Sequence, residues 1–246
     1  MEQTRKRYAA DLKSIMEARK RIAPYAHTTP VITSSTLDAL AGRKLFFKCE
    51  LLQKGGAFKF RGACNAILSL SEDEAKRGVL THSSGNHAAA VALAARIRGI
   101  KAHIVVPRNG GGLISGIALA AKAIKPEIII IAAEPSGADD AAQSKAAGRI
   151  VTLKQPKTIA DGLRASLGNF TWPVIRDLVS AVVTVDDDEI LEAMKLCHEV
   201  LKMTVEPSGA IGLAVILSDK FKNELRTNLE NIGIVLSGGN AGLKLC

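Results

Sequence analysis

Between Gly78 and Ala133 the chain alternates short strand-like runs with longer alanine-rich ones, and glycine-bearing turns divide them. Val79-Leu80-Thr81-His82 reads as a strand, Ser83-Ser84-Gly85 as a turn, residues 86–98 as a helix and residues 102–106 as a second strand. Gly110 to Gly112 then open a helix that runs to Ile124, and Ile128 to Ala133 reads as a buried strand. Two consecutive strand–helix–strand units constrain the fold severely, because a helical crossover returns the chain parallel to the strand it left. The expected fold class is α/β, with parallel sheets and helices on both faces.

The flanking sequence continues the pattern. Helices are expected over 14–23, 138–147, 174–178 (after a break at Thr171-Trp172-Pro173), 187–203 and from Pro207 to Leu217, with another running on from Lys59 through Asn65, Ile67 and Leu70. Ser35 and Asp38 have capping-box spacing for a helix of their own. Strands are expected at Leu45 to Cys49, 150–153, 181–185 and Asn231 to Leu236. The 246 residues suffice for one large or two small domains, and 47% apolar against 4% aromatic content points to an aliphatic interior.

Composition also narrows the setting. Cys49, Cys64, Cys197 and Cys246 form no CxxC pair and no metal-ligand spacing, so they read as free thiols in a reducing compartment. No apolar stretch reaches membrane-spanning length, and residues 1–7 lack the apolar core of a secretion signal, so a cytoplasmic location without a membrane partner is expected. The net charge of +9 is spread along the chain with few aromatics among the basic residues; that favours small anionic ligands over nucleic acid.

Lys59 stands between Phe58 and Phe60 within Lys54 to Gly62, Lys-Gly-Gly-Ala-Phe-Lys-Phe-Arg-Gly. Desolvation favours a neutral amine, which can attack a carbonyl as a Schiff-base lysine does. A lysine beside aromatics can equally lay its stem on apolar surface. Gly110-Gly111-Gly112 at a helix start can offer bare N–H groups and the positive end of the helix dipole to a phosphate, or serve as a linker. The dinucleotide fingerprint is a rival reading, with Glu134 as the ribose-binding acid. Its spacing fails, because Ser115 stands where the third glycine belongs and Gly116 comes one place late.

Three further groups have two readings each. Ser83-Ser84-Gly85-Asn86-His87 can bring a hydroxyl and an amide to a ligand at a strand end, or simply cap a helix; His87 receives no role. Glu134, Asp139 and Asp140 can form an oxygen-ligand site for Mg2+ or Ca2+, or favour a helix N-terminus electrostatically. Ser237-Gly238-Gly239-Asn240 can carry a hydroxyl to a ring nitrogen, or be an ordinary turn.

Taken in order, Lys59 with its flanks, Ser83 to His87, Gly110 to Leu113 and Ser237 to Asn240 resemble the fold-type II (tryptophan-synthase-β-like) pyridoxal-phosphate enzymes of the serine/threonine dehydratase family. Phe47-Lys48-Cys49-Glu50, Ala133-Glu134-Pro135-Ser136, Ala160-Asp161-Gly162 and Val205-Glu206-Pro207-Ser208 extend the likeness, which looks most like that of plant members.

The resemblance implies interconversion of L- and D-serine, with elimination of water from serine or threonine as a second activity. It gives Lys59 as the pyridoxal-phosphate lysine and base on one face of the substrate, and Ser84 as the group serving the other. Asn86 would bond the ring hydroxyl, Gly110, Gly111, Gly112 and Leu113 would hold the phosphate, and Ser237 would meet the pyridine nitrogen. Glu134, the carbonyl of Ala138 and Asp140 would hold the divalent metal. Ser34, Ser35, Lys54, Lys202 and Asn240 would form an ATP effector site at the interface of a homodimer, although Gly55 and Ala89 depart from some members' pattern.

The resemblance also implies an internal deletion of about seventy residues after Pro107. Residues 1–77 and 108–246 would then be the large cofactor-binding domain, and 78–107 the remnant of a small one. One strand ending Val-Val-Pro would have to leave the first unit and enter the glycine loop. On this reading a catalytically impaired remnant that binds full-length subunits is the alternative function.

Overall fold

The computed structural model describes residues 8–83, 85–105, 111–224 and 229–241. Helix α1 (Leu12–Ile22) starts from a capping box between Asp11 and Ser14, and Arg19, Lys20 and Arg21 in its last turn oppose the negative end of the helix dipole. Strand β1 (Val31–Ile32), helix α2 (Ser35–Ala41) and strand β2 (Lys44–Cys49) follow. The cap of α2 is Ser34, which accepts from the N–H of Leu37; the expected Ser35–Asp38 box does not form. Asp38 instead accepts from the Leu45 N–H and the Lys44 amine, tying α2 to β2.

Helix α3 (Lys59–Leu68) and the short α4 (Glu72–Lys76) lead to β3 (Val79–His82), α5 (Asn86–Arg98) and β4 (Ala102–Val105). These bounds follow the sequence closely, and β3 and β4 pair in parallel. Helix α5 packs its alanine-rich side on α3, around Phe60, Ala63, Cys64, Ala90 and Ala94. Small side chains let the two helices approach closely.

The next unit is α6 (Gly112–Ile124), β5 (Ile131–Pro135), α7 (Asp140–Ala147), α8 (Trp172–Leu178) and β6 (Ala181–Val185). Strand β5 begins three residues later than expected, because β6 pairs with residues 131–135 while Ile128 and Ile129 remain about 40% exposed. Residues 150–153 form no strand: the Val151 N–H is taken by the Ser144 hydroxyl rather than by a neighbouring strand. Helix α9 (Asp187–Glu199) stops four residues short of the expected end, where Lys202 adopts φ 57° and the chain turns. Helices α10 (Pro207–Leu217) and α11 (Asp219–Glu224) and strand β7 (Asn231–Leu236) complete the described fold.

Among the described residues the strands form three small sheets: β1–β2–β7, β3–β4 and β5–β6. All pairings are parallel except that of β1 with β2. The main core lies around Phe47, Ile190, Leu213, Phe221 and Leu236, all fully buried. Helix α10 is its centre and packs against β7, β5 and β6. Cys49, Cys64 and Cys197 are free and buried, and burial pushes the Cys197 thiol up to about 12. Among the described residues no helix is long and apolar enough to cross a membrane.

Candidate cofactor site

Lys59 opens α3, and its amine lies 5.0 Å from the centre of the Phe58 ring. Phe60 points elsewhere, fully buried against α5, so only one of the two expected aromatic flanks faces the amine. Desolvation holds the Lys59 amine below the usual lysine range, and the charge of Glu206 offsets part of that effect. Glu206 moves the opposite way. Burial raises its carboxyl, against hydrogen bonds from Asn86 and the backbone and the attraction of Lys59. Both groups therefore shift toward their neutral forms.

A backbone zipper brings distant motifs to Lys59. Ala57 and Gly238 form an antiparallel bridge, the Phe58 N–H donates to the Ser237 carbonyl at 3.0 Å, and the Gly239 N–H donates to the Gly56 carbonyl at 2.9 Å. The Glu206 N–H donates to the Gly238 carbonyl at 3.0 Å, adding the start of α10 to the cluster. A Cβ at Gly238 would stand 2.2 Å from Glu206 Oε1, so a side chain there would push the Glu206 carboxylate off the position from which it holds Asn86. Among the described residues the Ser237 hydroxyl donates to the Ser208 carbonyl at 3.4 Å, a long bond that leaves it able to turn toward a ligand.

The turn after β3 adds Asn86. Ser83 Oγ accepts from the Gly85 N–H at 3.3 Å, and Gly85 begins α5 without a side-chain cap. The Asn86 amide is therefore not spent on the helix end. Its Nδ2 donates to Glu206 Oε1 at 2.7 Å, and its Oδ1 accepts from Asn240 Nδ2 at 2.8 Å. Ser84 and Gly110 lie outside the described residues.

Gly111 precedes α6 with φ 94°, and a Cβ there would lie 2.8 Å from Thr171 Oγ1. No side chain caps α6, so its first N–H groups face the cleft that Gly111, Gly112 and Leu113 line together with Lys59, Asn86 and Ser237. A desolvated amine, a bare helix start, a hydroxyl and an amide around one cleft suit an aromatic aldehyde phosphate. The residues present fit pyridoxal phosphate.

The other expected groups fare differently. Glu134 and Asp140 line the same cleft, and Ala138 is buried in the turn between them. Glu134 Oε1 and Oε2 accept from the N–H groups of Ala141 and Ala142, each at 2.9 Å, and Asp140 Oδ2 accepts from that of Leu167 at 2.9 Å. Desolvation, together with Asp140 and Asp139, raises Glu134 to about 7 despite its two backbone hydrogen bonds. Among the described residues no three His, Cys, Asp or Glu side chains gather to hold a metal, so a metal here would need the Ala138 carbonyl. Of the five effector positions, Ser34 caps α2, Ser35 lines a separate cavity with Asp38 and Arg43, and the Lys54 amine lies 5.9 Å from the Phe60 ring. Lys202 sits in the turn after α9, whereas Asn240 joins the Asn86 network.

Glu206 is the residue that sequence reasoning passed over, although its motif was noticed. Its signal was an acid directly before Pro207, heading an apolar helix that carries no other charge.

The fold and the cleft together define a pyridoxal-phosphate enzyme with parallel sheets and a lysine at a helix start. The model of the family described as "Pyridoxal-phosphate dependent enzyme" matches residues 22–110 and 103–238. The chain belongs to that family. It is 52% identical to a serine racemase of Arabidopsis thaliana, over 99% of this chain and 97% of the relative. The structure of maize serine racemase superposes with a TM-score of 0.94 at 49% identity, covering 96% of this chain and 95% of that one. A solved threonine deaminase superposes with a TM-score of 0.86 at 36% identity, covering 95% of this chain and 99% of that one.

That Arabidopsis alignment spans 320 positions against 246 residues here, so at least 74 of them, the difference, face no residue of this chain. The two family matches overlap at residues 103–110, which places the seam at the expected deletion.

Proposed function

We propose that this chain interconverts L- and D-serine using pyridoxal phosphate on Lys59, and that it eliminates water from serine or threonine as a second activity. The observation that carries this reading is the desolvated Lys59 amine in one cleft with Asn86, Ser237 and the uncapped start of α6. Serine racemases among the relatives, and a threonine deaminase among the structural neighbours, support the choice of substrates.

Bound there, the cofactor would withdraw electron density from the substrate α-carbon and make its C–H acidic. The low-lying Lys59 amine takes that proton on one face. Ser84 returns a proton on the opposite face to invert the centre. For elimination Lys59 alone suffices on the proton side, while the β-hydroxyl leaves as water. A neutral Ser237 hydroxyl at the ring nitrogen moderates electron withdrawal, which suits reversible proton exchange. Gly110 to Leu113 and the α6 dipole hold the phosphate, and Asn86, kept in place by Glu206 and Asn240, orients the ring.

Glu134, the Ala138 carbonyl and Asp140 form the proposed Mg2+ or Ca2+ site. Residues 78–107 are read as the remnant of the small domain, and the protein as a cytoplasmic homodimer with ATP as an effector. With part of the substrate-side lid shortened, exclusion of water is incomplete. Purified protein supplied with pyridoxal phosphate should form D-serine and pyruvate from L-serine, and Lys59→Ala should form neither. Racemisation is expected at least about a hundredfold below a full-length relative, about 2.7 kcal/mol of transition-state stabilisation. A full-length rate would show the shortened segment to be dispensable.

A further inference from the structure

Strands β2 and β7 run parallel and in register to their last residues, where Cys49 lies opposite Leu236. The next residue on each strand is polar and nearly out of water: Glu50 is 4% exposed and Ser237 8%. Each takes hold of the chain beside Lys59. The Ser237 carbonyl accepts from the Phe58 N–H at 3.0 Å, one residue before it. The Glu50 carboxylate accepts from Arg61, two residues after it, through both oxygens: Nε donates to Oε2 at 2.8 Å and Nη2 to Oε1 at 2.7 Å. Lys59 thus stands between two anchors that extend from one pair of strand ends.

Further partners hold the second anchor. Thr29 Oγ1 donates to Glu50 Oε1 at 2.6 Å, and the Lys48 amine lies 4.0 Å from the same oxygen. Arg61 Nη2 also donates to the His27 carbonyl at 3.2 Å. Desolvation acts to raise the Glu50 carboxyl, but hydrogen bonds from Arg61 and Thr29 and the charges of Arg61 and Lys48 outweigh it, so the group stays below its ordinary range and carries its charge in the interior. Burying a carboxylate forfeits hydration that such a pair barely recovers, and solvent screens part of the attraction, because the guanidinium is 33% exposed. The weight of the pair therefore lies less in net stability than in geometry. Helix α3 begins at Lys59 with no side-chain cap, so its first turn lacks the usual fixing of a helix start. Residues two apart on a helix point to nearly opposite sides, so Arg61 can be clamped without crowding the Lys59 amine. A planar fork held at two points sets the rotation of the turn as well as its place.

We infer that Glu50 and Arg61 are positioning residues, whose ion pair fixes the first turn of α3 and so aims the Lys59 amine into the cofactor cleft. Burial and Glu206 set the proton affinity of that amine. Glu50 and Arg61, joined and opposite in charge, act on its place. The inference rests on the proposed function for the chemistry of Lys59, and it assigns a part to two residues which that reading does not use.

Two variants of the full chain test it. Arg61→Lys keeps the charge and loses the fork. Glu50→Gln combined with Arg61→Met removes both charges, leaves Thr29 an acceptor and strands no buried charge, so it should fold even where a single change does not. In the protein without cofactor, amide exchange at Phe60 and Arg61, whose N–H groups close the turn on Ala57 and Phe58, should quicken about tenfold or more in both variants, with exchange in 231–236 unchanged. With pyridoxal phosphate added, its capture, followed by absorbance, should slow about tenfold or more at every pH, because a small misplacement of a reacting group is costly. The midpoint of the pH profile should stay in place. Unchanged exchange at Phe60 and Arg61 overturns the inference by making the pair idle, and equal quickening in 231–236 overturns it by making the pair a general stabiliser. Capture at the wild-type rate, or a profile that only moves along the pH axis, overturns it too. A wild-type chain that captures no pyridoxal phosphate sinks the proposed function instead, and exchange alone then decides whether the pair holds the turn.

Discussion

Asn86 and Glu206, 120 positions apart, are joined side chain to side chain, with Asn86 Nδ2 donating to Glu206 Oε1 at 2.7 Å. The contact ties the start of α5 to the start of α10 across the candidate cofactor site, and Asn240 locks the other end of the same amide. Glu206 acts on Lys59 as well, by raising an amine that burial lowers. One carboxylate thus holds the Asn86 amide and raises the Lys59 amine's affinity for protons.

Glu206→Gln keeps an acceptor for Asn86 and removes the charge. Without that charge desolvation alone acts on Lys59, so its affinity for protons falls further and the free amine persists to lower pH. The rate at which the protein captures pyridoxal phosphate should therefore rise toward its plateau at lower pH than in the wild type. A profile that stays in place or moves to higher pH contradicts the coupling. Glu206→Ala also releases Asn86 and should weaken cofactor binding by about 1.5–3 kcal/mol, the usual worth of a hydrogen bond to a charged group.

Gly111→Ala forces a left-handed conformation on a residue with a Cβ and drives that atom toward Thr171 and Leu167. The expected cost is about 1–2 kcal/mol of stability, with weaker phosphate anchoring in a pyridoxal-phosphate titration. Gly116→Ala, later in the same helix and with nothing within 4 Å of the added carbon, should instead stabilise by about 0.5–1 kcal/mol. Equal denaturation midpoints for the two variants would show that the turn at Gly111 does not matter.

Ser84→Ala should abolish D-serine formation from L-serine while sparing most of the pyruvate formation, because elimination uses only the Lys59 face. The two activities are measured side by side on one preparation. Parallel loss of both would remove the two-face account.

Added Mg2+ or Ca2+ should raise the thermal midpoint of the wild-type chain, since a cation at Glu134 and Asp140 relieves the repulsion between two buried carboxylates. Asp140→Asn should lose that response. An equal increase in both proteins would place the ion elsewhere.

The elements with strong local signals were legible in the sequence. Helix α5, strands β3, β6 and β7 and helix α10 have the expected bounds, because each is a run of uniform character bounded by a glycine, a proline or a charged cap. The short β1, α4 and α11 carry too few residues for a period to show, although a capping box between Ser71 and Glu74 opens α4. Residues 150–153 looked like a strand and are not one, since a serine hydroxyl seven residues earlier satisfies the backbone that a ladder would have paired. Lys59, Asn86, Gly111 and Ser237, singled out by their motifs, line one cleft. Glu206 was missed because its role depends on contacts across 120 positions, which no local pattern records. The separation of β1–β2–β7 from β5–β6 among the described residues is likewise a tertiary fact that no local pattern records.

The central claim is that Lys59 is the amine that holds pyridoxal phosphate, and borohydride reduction of the cofactor-loaded protein, followed by peptide mapping, tests it directly. The account predicts a pyridoxyl group on the peptide containing Phe58-Lys59-Phe60 and on no other. Label on Lys54, Lys48 or any other lysine, or a Lys59→Ala protein labelled as fully as the wild type, would contradict it.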